Sequence, residues 1–568
     1  MSTELALLRS IRDLPDEDTP RLIYADYLDD ADEHARAEFI RVQIERARTP
    51  EADPRRRELE DREHELLCEH EGAFLGVAPD DFEGLTEWHF DRGFVHEVAA
   101  SPTFMLGAGT QLANAHPVRR WRVQSGQNNF PEDLKEAGQR GWFARLEALD
   151  LSGWYTSLGE LGGFLYRSQF ERLRELDLSH RPGLEALPEI LEAAPFRNQL
   201  KALLCGGGNL YEEDGRLGAI ALAQAMGRGC KLSEFGAGGA MLTAEDVRDI
   251  LIADFASELT DLDVRANQLA PDGWDAFVGA RCRLHELDVS NTPLGAISLD
   301  RLLTCKSTSQ LKRLHMNGCG SAMANMAALA ASPFWAQAEE LRMQNGTIPE
   351  ASLDPLFNST GPKALRVLDV GENYVRPAGV ARLCAANWSH ALTYLDLSRN
   401  YLTDDALRMI AACDKFEHLR TLHLNYNSPY HLEGAEHTEA VTDAGLRALA
   451  DSPHLRNLRV LSISGTRITA SGIEAVLNSP HFRLTGLSVA NCQLRRAAIE
   501  VIAASPRTAR LEVLDLSGND EFGSGELRTL AESEYLSPIT ELDVRGTSAG
   551  DTTVYEALRE RVGCRLGV

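Results

Sequence analysis

The feature that most restricts this chain is a spacing. The pattern LxxLxL recurs fifteen times, with its first position at Leu146, Leu173, Leu200, Leu232, Leu259, Leu284, Leu311, Ala338, Leu365, Leu392, Leu419, Leu458, Leu484, Leu511 and Ile539. Most intervals are 27 residues, with longer ones of 32 after Leu200 and 39 after Leu419. Val118–Trp121–Val123 is a further, degenerate copy. Fixed-period self-similarity means one supersecondary unit used many times. In the copy "LTYLDLSRNYL" side chains alternate as in a strand, so Leu395 and Leu397 point inward and Asp396 outward. In "TASGIEAVLNSP" a second period follows: Thr469 caps a helix, and Ile473, Val476 and Leu477 share one of its faces. Ser-Pro pairs (Ser332–Pro333, Ser452–Pro453, Ser479–Pro480, Ser505–Pro506) end several such helices.

One strand and one short helix cannot bury their apolar faces alone, so the copies must stack. Strands stack at ~4.8 Å and helices at ~8–10 Å, so the stack bends with its strands inside. The expected fold is therefore an α/β solenoid, a horseshoe with a parallel concave sheet and convex helices, preceded by a small helical domain. The ninth position of the copies is Asn267, Asn373, Asn400, Asn427 or Asn519, Thr292, Thr466 or Thr547, Cys319 or Cys492. A polar group there can satisfy backbone groups stranded where the strand turns away. These residues resemble the leucine-rich repeat, in its longer, ribonuclease-inhibitor-like class, over about Val118 to Val568.

Before the repeats, "LLRSIRDLPDEDTPRLIYADYLDD" and "RAEFIRVQIERA" read as short helices. The first carries Leu5, Leu8 and Ile11; Asp18 or Thr19 caps the second, with Pro20 in its first turn; a third from Arg36 turns Phe39, Ile40 and Ile44 inward. Arg55 to Cys68 reads as a charge-laced surface helix. Residues Pro20–Leu28, Ala37–Gln43 and "WHFDRGFVHEV" (Trp88 to Val98) resemble the repeat-companion domain at the N-terminus of many planctomycete and myxobacterial repeat proteins. The resemblance implies a bacterial source and a partnership with repeats, and supplies no catalytic residues. The expected divisions are 1–80, helical domain; 81–145, a capping region with a β-hairpin and the degenerate copy; and 146–568, about fifteen repeats.

The net charge of -27 argues against nucleic acid and anionic membranes as partners. Seven of the 58 basic residues are Lys, the rest Arg, a bias that fits a GC-rich bacterial genome. The ten Cys form no CxxC pair and no Cys-rich cap, which suits a reducing compartment. "MSTELALLRSIRDLPDED" lacks a signal peptide's basic start, and no apolar run approaches the ~18 residues of a membrane span. A cytoplasmic protein is expected.

Candidate sites were weighed against plainer roles. His64 and Cys68 are one turn apart in "HELLCEH", with His70 near. Metal ligation or a Cys/His nucleophile is conceivable, but a packed surface helix explains them better. The insertion spanning 428–443 contains His431, Glu433, Glu436 and His437, which suit partner contact more than metal. "CGGG" (Cys205–Gly208) and "GAGG" (Gly236–Gly239) lack a phosphate loop's Lys-Ser/Thr and should leave a bare, flat patch. Asp263, Asp288, Asp369 and Asp396 belong to an acidic stripe between core positions, although "LDLS" is common wording in such repeats. Tyr374, Tyr394, Tyr401, Tyr426 and Tyr430 cluster beside the insertion, with His423 between them, and Tyr suits binding hot spots. The expectation is a non-catalytic scaffold that binds a protein with a basic surface, with no cofactor, metal or catalytic residue. The alternatives are a sensor or substrate subunit of a bacterial signalling or defence system, and an enzyme acting through the N-terminal segment.

Overall fold

The computed structural model describes residues 3–50, 53–78, 82–125, 141–154, 158–180, 187–207, 222, 225–227, 229–269, 274–320, 326–427, 440–536, 539–548, 552–562 and 565–567. The chain divides into two compact units, Met1–Leu242 with Ile252–Leu259, and Thr243–Leu251 with Thr260–Val568. No helix among the described residues is long and apolar enough to cross a membrane.

The first unit begins with four helices, α1 (Thr3–Asp13), α2 (Asp18–Asp30), α3 (His34–Arg48) and α4 (Pro54–Phe74). Leu8, Ile11, Tyr24, Leu28, Ile40 and Ile44 pack into one core with Phe94. Two expectations fail locally. Leu5 is exposed, whereas Leu8 and Ile11 of α1 are buried in that core and Leu7 packs against it. The N-cap of α2 is Glu17, and its side chain makes no capping bond. α4 runs past Cys68 to Phe74: Leu59, Leu66 and Phe74 pack on Phe39 and Val42, while Arg55–Glu58 and Arg62–Glu65 ion pairs line its exposed side.

The expected hairpin is present. β1 (Leu85–Asp91) and β2 (Phe94–Ala100) pair antiparallel across Arg92 (φ 49) and Gly93 (φ 85). A side chain at position 93 would lie 2.7 Å from the Ile40 Cα, so glycine is required there. β2 then pairs parallel with β3 (Arg120–Ser125), which buries Trp121 and Val123. The hairpin thus closes the end of a parallel series continuing through β4 (Ala148–Trp154), β5 (Glu175–Asp177), β6 (Ala202–Leu204) and β7 (Glu234–Gly236).

The second unit is a regular parallel series of three-residue strands: β8 (Asp261–Asp263), β9 (Glu286–Asp288), β10 (Arg313–His315), β11 (Glu340–Arg342), β12 (Val367–Asp369), β13 (Tyr394–Asp396), β14 (Thr421–His423), β15 (Val460–Ser462), β16 (Gly486–Ser488), β17 (Val513–Asp515), β18 (Glu541–Asp543) and β19 (Arg565–Gly567). Their central leucines face one another in strict register, as Leu368 with Leu395 and Leu395 with Leu422. Buried Leu side chains contribute roughly 1.5–3 kcal/mol each, so a one-residue slip would expose a whole column. Both units are leucine-rich-repeat solenoid stacks of the α/β class, each repeat returning through a short helix. In Ala470–Leu477 the cap Thr469 accepts the Ser471 N–H, and Ile473, Val476 and Leu477 are buried. The Ser-Pro pairs do more than end helices: Ser452 Oγ caps the following turn at His454 N and donates back to the Ala411 carbonyl of the preceding repeat.

The ninth position does the work expected of it. Asn373 Oδ1 accepts from Gly346 N and Ile348 N, and its amide donates to the Met343, Val370 and Gly371 carbonyls. Asn400, Asn427 and Asn519 repeat the arrangement. Thr466 and Cys319 keep only the donor half, to the Ile463 and Val289 carbonyls.

Candidate functional site

The third residue of each strand forms a column on the exposed sheet face of the second unit, running Asp263, Asp288, His315, Arg342, Asp369, Asp396, His423 in register. Each of these aspartates accepts the N–H two residues on: Asp396 from Ser398 at 2.7 Å, Asp369 from Gly371 at 3.0 Å, Asp288 from Ser290 and Asp263 from Arg265. They therefore fasten the strand ends as well as carrying charge. The acidic stripe is also interleaved with its own cations. Arg313 bridges Asp261 and Glu286, Arg265 pairs with Asp263, and Arg342 binds Glu340 and lies 3.9 Å from Asp369.

The column contains an Asp–Asp–His station twice, and its two aspartate pairs shift in the same way. Burial, helped by the neighbouring Asp288 charge, pushes the Asp263 carboxyl up to about 6; burial and Asp396 do the same to Asp369. The second aspartate goes the other way. Burial works against ionisation of Asp288 and Asp396, but hydrogen bonds from His315 and Ser290, or His423 and Ser398, outweigh it and lower both. Burial likewise opposes charge on His315, yet Asp288 and Glu340 raise it to about 9. Tyr394 stands beside the second station, its ring 5.3 Å from that of His423 and under the Arg342 guanidinium at 5.2 Å.

Next to the column lies a turn with one conformational demand. From the repeat at Leu173 onward, the eighth residue adopts a left-handed backbone: His180, Gly207, Gly239, Ala266, Asn291, Gly318, Asn345, Glu372, Arg399, Tyr426, Gly465, Asn491, Gly518 and Gly546 all have positive φ. Gly and Asn suit this region; larger side chains are uncommon in it. Side chains at this level lean over the next repeat. A Cβ at Gly465 would overlap the Tyr426 ring, and one at Gly318 the Asn291 amide. Three consecutive repeats depart from the small-residue rule with Glu372, Arg399 and Tyr426. Arg399 lies 3.7 Å from Glu372 and 4.7 Å over the Tyr426 ring, and the Tyr426 hydroxyl accepts from Asn491. Two residues beyond Glu372 and Arg399, Tyr374 and Tyr401 stack at 5.4 Å with rings 4° from parallel. Tyr374 and Tyr426 are exposed, and Tyr401 is itself left-handed at φ 58.

The structure thus brings Asp369, Tyr374, Tyr394, Asp396, Tyr401, His423 and Tyr426 onto adjoining strands and turns. Asp263 and Asp288 lie farther along the same column, beside a polar cavity of about 300 Å³ lined by Arg265, Asp288, Asn291, Asn317 and Glu372 among others. Tyr430, His431, Glu433, Glu436 and His437 lie outside the described residues, as does the Cys68 side chain. His64 is on α4. Among the described residues no three His, Cys, Asp or Glu gather as a metal site would require. Gly207 and Gly239 of the two glycine clusters occupy the left-handed turn position, so backbone conformation accounts for them. The sequence reading missed this column, although its signal, Gly or Asn seven residues after the first leucine, was present.

Residues 389–411 and 454–477 match the Leucine Rich repeat family. Each segment holds one strand and its helix. No curated protein matches the chain. Among solved structures, a chain of the yeast Rad7–Elc1 complex is 17% identical over 69% of this chain and 80% of its own, with a TM-score of 0.41. An internalin of Listeria monocytogenes is 16% identical over 67% and 88%, TM-score 0.32. A leucine-rich-repeat protein of Leptospira interrogans is 16% identical over 78% and 100%, TM-score 0.33.

Proposed function

We propose that the chain is a non-catalytic scaffold that binds a protein partner at the turn edge and sheet face spanning residues 369–426. The observation that supports this reading is the run Glu372–Arg399–Tyr426, where large side chains occupy, in three consecutive repeats, a left-handed position that Gly or Asn fills in most others, beside the stacked Tyr374–Tyr401 pair. Tyr supplies rigid amphipathic contact area at low entropic cost. The net charge of -27 steers a partner with a basic surface toward the molecule. Within this reading the α1–α4 region is a bacterial repeat-companion domain that supports the repeats. The site's carboxylates are committed to turns and ion pairs, Asp369 to the Gly371 N–H and Arg342, and Asp396 to the Ser398 N–H and His423.

The test is a photo-crosslinking amino acid placed at position 401 or at position 64 of the full chain in its native lysate. The reading expects a discrete partner captured from position 401, with capture lost in Tyr374→Ala. Capture from position 64 alone would move recognition to the N-terminal helices.

A further inference from the structure

On the helical side of the second unit, two cysteines of consecutive repeats meet. Cys384 is the next-to-last residue of helix Arg376–Ala385, and Cys413 directly follows helix Asp404–Ala412. Each thiol is the strongest influence on the other's ionisation, raising Cys384 and lowering Cys413. Cys413 Sγ also lies 3.9 Å from the Cys384 carbonyl, and Cys384 Sγ 3.8 Å from that of Met409. Lys415 is pinned alongside, its Nζ donating to the Ala385 and Ala386 carbonyls at 2.7 and 3.0 Å. Cys384 is half-buried and Cys413 is buried.

The other described cysteines are placed differently. Burial pushes the Cys230, Cys282 and Cys319 thiols up to about 11 and raises Cys492 as well. Cys319 and Cys492 spend their thiols on the Val289 and Ile463 carbonyls as ninth-position donors. At Cys413 the balance reverses. The hydrogen bond from Cys384 lowers its pKa most, burial opposes, and the Lys415 N–H and charge add to the lowering. A thiolate favoured by a second thiol and by the charge of a nearby fixed ammonium is the arrangement of a reactive pair.

We propose that Cys384 and Cys413 are a peroxide-oxidisable dithiol, a modification site that closes a disulfide between the repeats carrying Tyr374 and Tyr401. The Cys413 thiolate attacks one oxygen of hydrogen peroxide and breaks the O–O bond; the departing hydroxide takes a proton and leaves as water, and Cys413 becomes a sulfenic acid. The Cys384 sulfur then attacks that sulfur, forming the S–S bond and expelling a second water, which carries the Cys384 proton. Two thiols are oxidised and one peroxide is reduced to two waters.

The experiment treats the full reduced chain with micromolar hydrogen peroxide, quenches it by alkylation, and maps cysteine peptides by mass spectrometry without reduction. The expected result is loss of two of the ten thiols as one Cys384–Cys413 cross-linked peptide that dithiothreitol restores. In Cys384→Ser a dimedone adduct should accumulate at Cys413, and in Cys413→Ser the reaction at Cys384 should slow by at least about tenfold, toward that of an ordinary thiol. The proposal is overturned if the wild-type chain forms no such cross-link, if Cys413 goes directly to sulfinic acid, or if cysteines other than Cys384 and Cys413 react at comparable rates. Mapping the wild-type chain keeps the test decisive should either serine variant fail to fold.

Discussion

Replacing Asn400 with alanine isolates what the ninth position contributes. Asn400 is fully buried. Its Oδ1 accepts the Val375 N–H at 3.0 Å, and its amide donates to the Val370 and Ser398 carbonyls at 2.8 and 3.0 Å. Two of these partners have replacements: Val370 O still accepts from Asn373, and Ser398 O from the Glu372 N–H. The Val375 N–H has none. The cost is therefore one orphaned buried donor, ~1–3 kcal/mol, plus two weakened carbonyls at about 0.5 kcal/mol each, or roughly 2–4 kcal/mol in all. Asn400→Thr should recover part of this, because Thr466 in the equivalent place still donates to a strand carbonyl. Repeat arrays need not unfold in two states, so the measurement should be local. Hydrogen exchange at the Val375 amide should lose protection far more than that of distant strands such as β18. A loss below about 1 kcal/mol at Val375, or one spread evenly over the unit, would refute the ladder argument.

Four further outcomes are expected. Asp369 has a folded pKa of about 6, above the ordinary carboxylate value of 3.8, so the folded state holds its proton longer and stability falls as pH rises from about 4 to 6. Asp369→Asn keeps an acceptor for Gly371 N, so denaturant titration should show a gain of about 2 kcal/mol at pH 7 and none at low pH. His315 loses stability with rising pH too, but in a higher window: its value, raised from 6.5 to about 9, makes its contribution full below about 6.5 and gone as pH climbs through 9, seen as a falling thermal midpoint that His315→Gln lacks. Gly465→Ala should destabilise by more than ~1 kcal/mol, and part of that should vanish in a Tyr426→Gly background, because the added Cβ meets the Tyr426 ring. Tyr374→Ala with Tyr401→Ala should weaken partner binding by ~2 kcal/mol or more while leaving the melting temperature nearly unchanged, read by titrating the crosslinked partner.

Much of the scaffold was legible because the repeat encodes it redundantly. Leu395 and Leu397 are buried and in register, and Asn373, Asn400 and Asn427 bridge neighbouring turns as their spacing implied. What escaped depended on conformation and side-chain reach. "CGGG" and "GAGG" read as flat patches, yet Gly207 and Gly239 belong to a left-handed column that recurs in each repeat from Leu173 onward. The aspartate stripe was visible; that Arg313 and Arg342 fold back onto it was not, since a long side chain's direction is not written in its position. Cys384 and Cys413 occupy non-equivalent places in their repeats, so no periodic reading pairs them, and only packing of their helices brings the thiols together. Leu5 failed for the simplest reason, lying at the helix end beyond the core.

The strained turn decides how the surface should be read. A non-glycine residue in the left-handed region costs ~1–2 kcal/mol, of which ~0.4–1 kcal/mol returns through lower unfolded-state entropy than glycine's. Glu372, Arg399 and Tyr426 together therefore leave a net cost of about 2 kcal/mol relative to glycine, at positions where Gly318 and Gly465 show glycine fits this turn. Their mutual contacts recover part of it. Arg399 over Tyr426 contributes ~0.5–1 kcal/mol, and the exposed Arg399–Glu372 pair a few tenths at most. These contacts, with the Asn491 bond to the Tyr426 hydroxyl, offset only part of the strain, and the three residues sit in adjacent repeats, two of which carry the stacked tyrosines. Strain that the fold does not need marks a surface shaped for something outside it. Replacing Glu372, Arg399 and Tyr426 by glycine should accordingly leave thermal stability equal or higher and abolish partner capture. If stability fell by several kcal/mol instead, the three side chains would be structural and the binding edge would have to be sought elsewhere.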